Sequence, residues 1–277
     1  MQHRHCNVLF VVALSGALAA CSSEGGGSSR YLGISVSQSS PLSSKANVTV
    51  NSPYGGVKVD TAGEPGMLTV AAVPFAVGPA SEAGRAQAEA ALLSGPQFML
   101  TSDATAGVSV TSTGNEAAGL DLNVHLPNPF HGQLTVNAAF GNVLYLASPS
   151  SPGATFNVGT GDIDIENAGN QLTVHAGTSN VVLVAAPTLS GPDTKGMPTP
   201  PSVVTTNIGN ITAKIPDASS LTIDAATHGH GTVRPQADQV VAQYAADGSS
   251  AQIVVGDGQS GSMSIQTNYG DVVFLRP

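Results

Sequence analysis

One phrase of about a dozen residues returns through this chain, and it constrains the fold more than any single motif. Two apolar positions flank a polar one, four or five turn residues with a glycine follow, and apolar positions resume at a spacing of two. It reads VTVNSPYGGVKV at residues 48–59, LTVNAAFGNVLYL at 134–146, LTVHAGTSNVVLV at 172–184 with Ser179 in place of the glycine, and MSIQTNYGDVVFL at 263–275. Looser copies begin at Phe98 (FMLTSDATAGVSV), Thr155 (TFNVGTGDIDI), Val204 (VTTNIGNITAKI) and Leu221 (LTIDAATHGHGTV).

Period-two alternation puts Leu172, Val174 and their equivalents on one face of a strand and the threonine between them on the other. The recurring glycine, often followed by Asn or Asp, supplies a positive φ at a corner. From residue 134 the copies start 21, 17, 32, 17 and 42 residues apart, so several steps cluster near 20 and the long ones hold an insertion or a doubled turn. Stacked units of short strands produce such a pattern. The leading expectation is therefore an all-β domain of single-stranded β-helix or solenoid-like type with one short inserted helix. A β-sandwich of antiparallel hairpins is the alternative, because four or five residues between apolar pairs suit a hairpin as well as a corner.

Composition agrees with short strands and frequent turns: 32 Gly, 18 Pro, no Trp and only 10% charged residues. Residues 81–93 (SEAGRAQAEAALL) are helix formers, with Ser81 placed to cap and Gly95-Pro96 to stop the helix. Its expected role is to cover an end or edge of the sheets. Residues 187–202 hold five prolines and are expected to form an exposed loop.

The N-terminus carries a different signal. An apolar run over residues 8–18 ends in Leu18-Ala19-Ala20-Cys21, followed by SSEGGGSS at 22–29. This resembles the lipobox of bacterial lipoproteins, in which the cysteine thiol receives a diacylglyceryl group before cleavage. The resemblance implies a signal peptide at 1–20, a lipidated Cys21 and a flexible Gly/Ser tether at 21–30 spanning roughly 15 Å, with the β-repeat domain at 31–277. Ser22 after the cysteine implies, in a Gram-negative-type cell, transfer to the outer membrane. Both cysteines precede residue 22, so the mature domain has no internal disulfide, cysteine nucleophile or Cys-ligated zinc.

Removing Arg4 with the signal segment leaves 8 basic against 18 acidic residues, a net charge of −10. That sign argues against a nucleic-acid partner.

The segments SVVTTNIGNITAKIPDASSLTIDAATHGHGTV at 202–233 and SMSIQTNYGDVVFLRP at 262–277 resemble the bacterial putative-adhesin family of β-helical domains of unknown function. The carrying motif is a strand, a Gly-[Asn/Asp]-apolar corner, and an apolar-Pro step, here Ile215-Pro216 and Leu126-Pro127. The resemblance covers roughly residues 45–277, and the helical segment 81–93 departs from a plain repeat. It implies a surface-exposed β-helix or β-roll with no catalytic residues.

Three constellations invite chemistry. Gly256-Asp257-Gly258-Gln259-Ser260-Gly261 matches GxGxxG, but a strand-like Met263-Ser264-Ile265 follows where a dinucleotide site needs a helix N-terminus, so a turn is expected. Asp162, Asp164 and Glu166 alternate with Ile163 and Ile165, which would line three carboxylates about 6.5 Å apart on one strand face. They are weak calcium candidates beside a solvated strand face. His228 and His230, with His175 or Asp224, could offer zinc ligands, although exposed turn residues are the plainer reading. Glycosidase chemistry needs paired carboxylates across a cleft, usually beside aromatic platforms, and aromatics are only 4% here.

The expected function is thus a non-catalytic structural or adhesive module, without cofactor, anchored in the cell envelope by lipid. Its expected partners are the membrane through that anchor and a cell-surface protein or polysaccharide. The alternatives are a carbohydrate-active enzyme or polysaccharide-binding protein on a β-helix scaffold, and a periplasmic assembly scaffold.

Overall fold

The computed structural model describes residues 20–21, 28–103, 107–148, 153–168, 171–185, 201–216, 219–235, 240–256, 258 and 261–275. The expected signal segment up to residue 19, tether residues 22–27 and the Pro-rich stretch 186–200 lie outside the described residues.

Strand β1 (Ala20–Cys21) pairs antiparallel with β2 (Ser28–Leu32). After β3 (Val36–Pro41) comes the first copy of the phrase, β4 (Val48–Tyr54), a glycine corner and β5 (Val57–Gly63). The long β6 (Met67–Pro79) leads into helix α1 (Glu82–Leu93), then β7 (Phe98–Asp103), β8 (Gly107–Ser112) and β9 (Ala118–Pro127). Four further strand–corner–strand units follow: β10 (Leu134–Phe140) with β11 (Val143–Leu146), β12 (Ala154–Thr160) with β13 (Ile163–Ala168), β14 (Leu172–Thr178) with β15 (Val181–Ala185), and β16 (Ser202–Ile208) with β17 (Ile211–Lys214). The C-terminal part contributes β18 (Leu221–His230), β19 (Val233–Arg234), β20 (Val240–Tyr244), β21 (Ser250–Val255), β22 (Ser262–Tyr269) and β23 (Val272–Leu275).

These strands form two large mixed sheets. One runs β1-β2-β6-β9-β5-β11-β13-β15-β17-β23-β19, with β3 also on β6; the other runs β20-β21-β18-β22-β16-β14-β12-β10-β4-β8-β7. The first strand of each unit lies in the second of these sheets and its second strand in the first, here named the B and A sheets respectively. Within both, the phrase copies pair parallel, with matching positions side by side: Val50, Val136, Phe156, Val174, Val204 and Ile265 form one row. Val59, Tyr145, Ile165, Leu183, Ala213 and Phe274 form another. All twelve are buried in one continuous core between the sheets. A parallel ladder buried on one face tolerates no one-residue slip, since a slip would turn every apolar side chain outward. Each fully buried Val, Leu or Phe contributes roughly 1.5–3 kcal/mol.

Antiparallel pairing is confined to the two ends. At one end β7 pairs β8, and β2, β3 and β9 pair β6; at the other β20 pairs β21 and β21 pairs β18. Spatial order therefore departs from chain order. The unit β4–β5 lies between β8–β9 and β10–β11, and the last unit, β22–β23, is inserted between β16–β17 and β18–β19. The physical reason is that copies with the same inward pattern present equivalent edges, so sequence neighbours hold no advantage over later strands.

Helix α1 is capped by Ser81, whose Oγ accepts the N–H of Gly84 at 3.1 Å. It buries Ala88 against Tyr31, Ala76 and Ala118, a second small core at the far end of β6. Gly84 permits this approach: a Cβ there would meet the carbonyl oxygen of Pro79 at 2.0 Å.

Candidate functional site

The corner between the two sheets explains why Gly is followed by Asn or Asp. Gly161 adopts φ +140°, and a Cβ on it would lie 2.2 Å from the Gly141 carbonyl oxygen of the neighbouring corner. From Asn142 onward the next residue extends its side-chain oxygen to the spatially next corner's backbone, whereas Gly56 holds that place in the first unit. Asn142 Oδ1 accepts the N–H of Asp162 at 2.9 Å, Asp162 Oδ1 that of Asn180 at 3.2 Å, and Asn180 Oδ1 that of Asn210 at 3.1 Å. Asn210 Oδ1 accepts from Asp271 at 2.8 Å, and Asp271 Oδ1 from Thr232 at 2.8 Å. At the other end Asp121 Oδ1 accepts from Gly56 at 2.8 Å.

Two carboxylates of this ladder have a cationic partner. Arg30 places one guanidinium nitrogen 2.7 Å from each oxygen of Asp121 while lying 3.7 Å over the Phe75 ring, and Arg234 stands 2.9 Å from Asp271. The contacts of Arg30 fasten β2 to the sheet.

The two outward faces differ in chemistry. On the B sheet, Thr49, Thr135, Thr155 and Thr173 lie side by side. Beside them the Asn157 amide donates to Asn137 Oδ1 and the Asn137 amide to Asn51 Oδ1, both at 2.8 Å. On the A sheet the outward rows bring aliphatic Leu144, Leu146, Val182 and Val184 beside Asp164 and Glu166. A groove of about 550 Å³ runs over this face, lined by Lys58, Asn123, Leu144, Asp164 and Val182 among others. Further along, His125 Nδ1 lies 2.9 Å from Asp60 Oδ2. Where the B-sheet strands end, Tyr54 stacks on the half-exposed Phe140 with centroids 4.9 Å apart and planes at 12°.

The residues singled out by sequence fall as follows. Asp164 and Glu166 share the outward face of β13, whereas Asp162 sits at the corner with its carboxylate turned to Asn180. His175 Nδ1 lies 3.0 Å from Thr205 Oγ1 on the B face, and Asp224 accepts from Gln252 at 2.8 Å. Strands β16 and β22 separate these two residues, so they share no site. His228 and His230 are exposed at the end of β18, His230 tilted against Tyr269. Among the described residues no group of three His, Cys, Asp or Glu is placed to hold a metal ion. Gly256 and Gly258 have positive φ, and the chain then enters β22 rather than a helix. Leu18 and Ala19 lie outside the described residues, and no side-chain geometry is described for Ala20 or Cys21.

Sequence reasoning missed the corner ladder, although Asn or Asp after Gly was its visible trace. It also missed the aliphatic face, whose trace is Leu or Val at outward positions of the second strand in each unit.

What fold and surface define together is a two-sheet, mostly β protein with a hydrogen-bonded corner and two chemically distinct faces. No family model matches the sequence, and no curated protein matches it. Among solved structures, it is similar to a putative cell adhesion protein from Clostridium sporogenes, at 12% identity and TM-score 0.49 over 88% of this chain and 100% of that one. A putative adhesin from Bacteroides fragilis is similar at 6% identity and TM-score 0.30, over 87% and 97% of the two chains. Likenesses at this level carry no argument about what this chain does.

Proposed function

We propose that this chain is a non-catalytic structural or adhesive module, lipid-anchored in the cell envelope through Cys21, with its two sheets as the sides of a β-solenoid. The observation that carries the reading is how the outward side chains are used. On the B face they bond to one another along register rows, as in Asn157–Asn137–Asn51, and at the corner they bond the backbone of the next unit. Side chains so engaged build an extended surface. A catalytic site instead needs a nucleophile, base and orienting group converging on one point.

The anchor is supported by Leu18-Ala19-Ala20-Cys21 and the Gly/Ser segment after it; two acyl chains hold a protein stably at a bilayer. Cells producing the protein are expected to retain it in the membrane fraction and to release or fail to process it when Cys21→Ser is introduced. Deleting the gene is expected to reduce attachment to host cells or polysaccharide, or to weaken the envelope. Unchanged fractionation would remove the anchor, and hydrolysis of a polysaccharide by the purified protein would remove the non-catalytic reading.

A further inference from the structure

The two carboxylates on β13 stand in unusual company. Leu144 and Leu146 lie directly beside Asp164 and Glu166 on one side, and Val182 and Val184 on the other. Among the described residues neither carboxylate has an ion-pair partner; the nearest cations along the rows, Lys58 and Lys214, are each two strands away from β13, roughly 10 Å at ordinary strand spacing. Asp164 is half-buried between Leu144 and Val182 while Glu166 is exposed, and the aliphatic surround strengthens the interaction of Asp164 with an arriving cation. The corresponding rows on the B face carry threonines and, bonded to one another, Asn51, Asn137 and Asn157.

From this we infer that the outward face of the A sheet docks an extended protein segment carrying basic residues at alternate positions with aliphatic residues on the same side. Asp164 and Glu166 point the same way two residues apart, about 6.5 Å, which is also the spacing of side chains at i and i+2 on a strand. Basic side chains at that spacing meet both carboxylates while their methylene stems lie against Leu144, Leu146, Val182 and Val184 on the adjacent strands. A second copy of this chain fits poorly, because face-to-face contact about a two-fold through β13 sets these carboxylates against their own counterparts. An anionic membrane surface is repelled for the same reason. This inference rests on the binding role proposed above and specifies the partner's chemistry.

The probe is a fluorescein-labelled peptide, Gly-Leu-Thr-Arg-Thr-Arg-Thr-Leu-Gly, titrated with the purified full chain and followed by anisotropy. Its twin carries Glu in place of Arg. Saturable binding of the Arg peptide is expected, with at least tenfold weaker binding by the Asp164→Lys, Glu166→Lys protein and severalfold weaker binding by Val182→Asn, Val184→Asn. A control that adds two positive charges to the opposite face, Thr155→Lys with Thr173→Lys, should stay within twofold of wild type.

No binding, equal binding of the Glu peptide, or equal loss from the B-face control would overturn the assignment. So would dimerisation, or capture on phosphatidylglycerol vesicles, that the Asp164→Lys, Glu166→Lys change abolishes. Attachment to cells that this change leaves untouched would sink this face while sparing the adhesive role; loss of that role alone leaves the peptide titration to decide the face.

Discussion

One oxygen of Asp162 accepts both the main-chain N–H of Asn180, at 3.2 Å, and its side-chain amide, at 3.1 Å. This carboxylate is a rung between two successive corners, and its neighbours Asn142 and Asn180 do the same work with an amide oxygen. Asp162→Ala is therefore expected to lower unfolding free energy by about 1 kcal/mol, and Asp162→Asn by less. Urea denaturation measures both, and equal losses would show that the charge, not the acceptor, matters.

The glycines with positive φ divide into two kinds. Gly209 has φ +138°, and a Cβ there would sit 1.9 Å from the Ser179 carbonyl oxygen; Gly66 has φ +75° with nothing within 4 Å. Gly209→Ala is expected to cost about 3 kcal/mol or more, because backbone must move as well as strain. Gly66→Ala should cost only about 1–2 kcal/mol for the left-handed conformation. Thermal melts of the two variants give the comparison.

Ser179 replaces the corner glycine in its unit, is buried, and its Oγ has no hydrogen-bond partner. Its carbonyl oxygen, in contrast, accepts from Thr206 Oγ1 at 3.1 Å. Ser179→Ala is thus expected to leave stability unchanged or raise it by up to about 1 kcal/mol, since a buried hydroxyl without a partner is costly. Thr206→Val should lower stability by about 1 kcal/mol on the same principle.

The inserted position of the last unit predicts an outcome a stack built in chain order would not give. Strands β22 and β23 each pair on both sides, with β16 and β18 and with β17 and β19. Removing residues 262–277 takes an interior strand out of each sheet, and the truncated chain is expected to lose cooperative unfolding. A stack ending in its last strands would merely shorten by one unit.

Much of the inward pattern was legible. The alternation that assigns Leu172 and Val174 to one face matches their burial, and the helix formers after Ser81 do form α1. The order of the units was not legible, because an inward row accepts Val50, Phe156 or Ile265 equally well. The corner ladder was half legible: Asn or Asp after Gly reads as turn chemistry, and nothing local shows that Asn180 Oδ1 reaches residue 210. Asp162, Asp164 and Glu166 read as one row, but a row on one face requires all three to lie within the strand, and β13 begins at Ile163.

Everything rests on parallel, in-register pairing of the phrase copies. Spin labels at Thr49→Cys paired in turn with Thr155→Cys, Val203→Cys and Ser264→Cys measure it directly by pulsed dipolar spectroscopy. Thr49 and Ser264 are joined through Thr135, Thr155, Thr173 and Val203. The three pairs are two, four and five strand steps apart, so at about 4.8 Å per step the separations are expected at ~10, ~19 and ~24 Å. Separations that fail to rise in that order, or that scatter as in shifted or antiparallel pairing, would contradict the account.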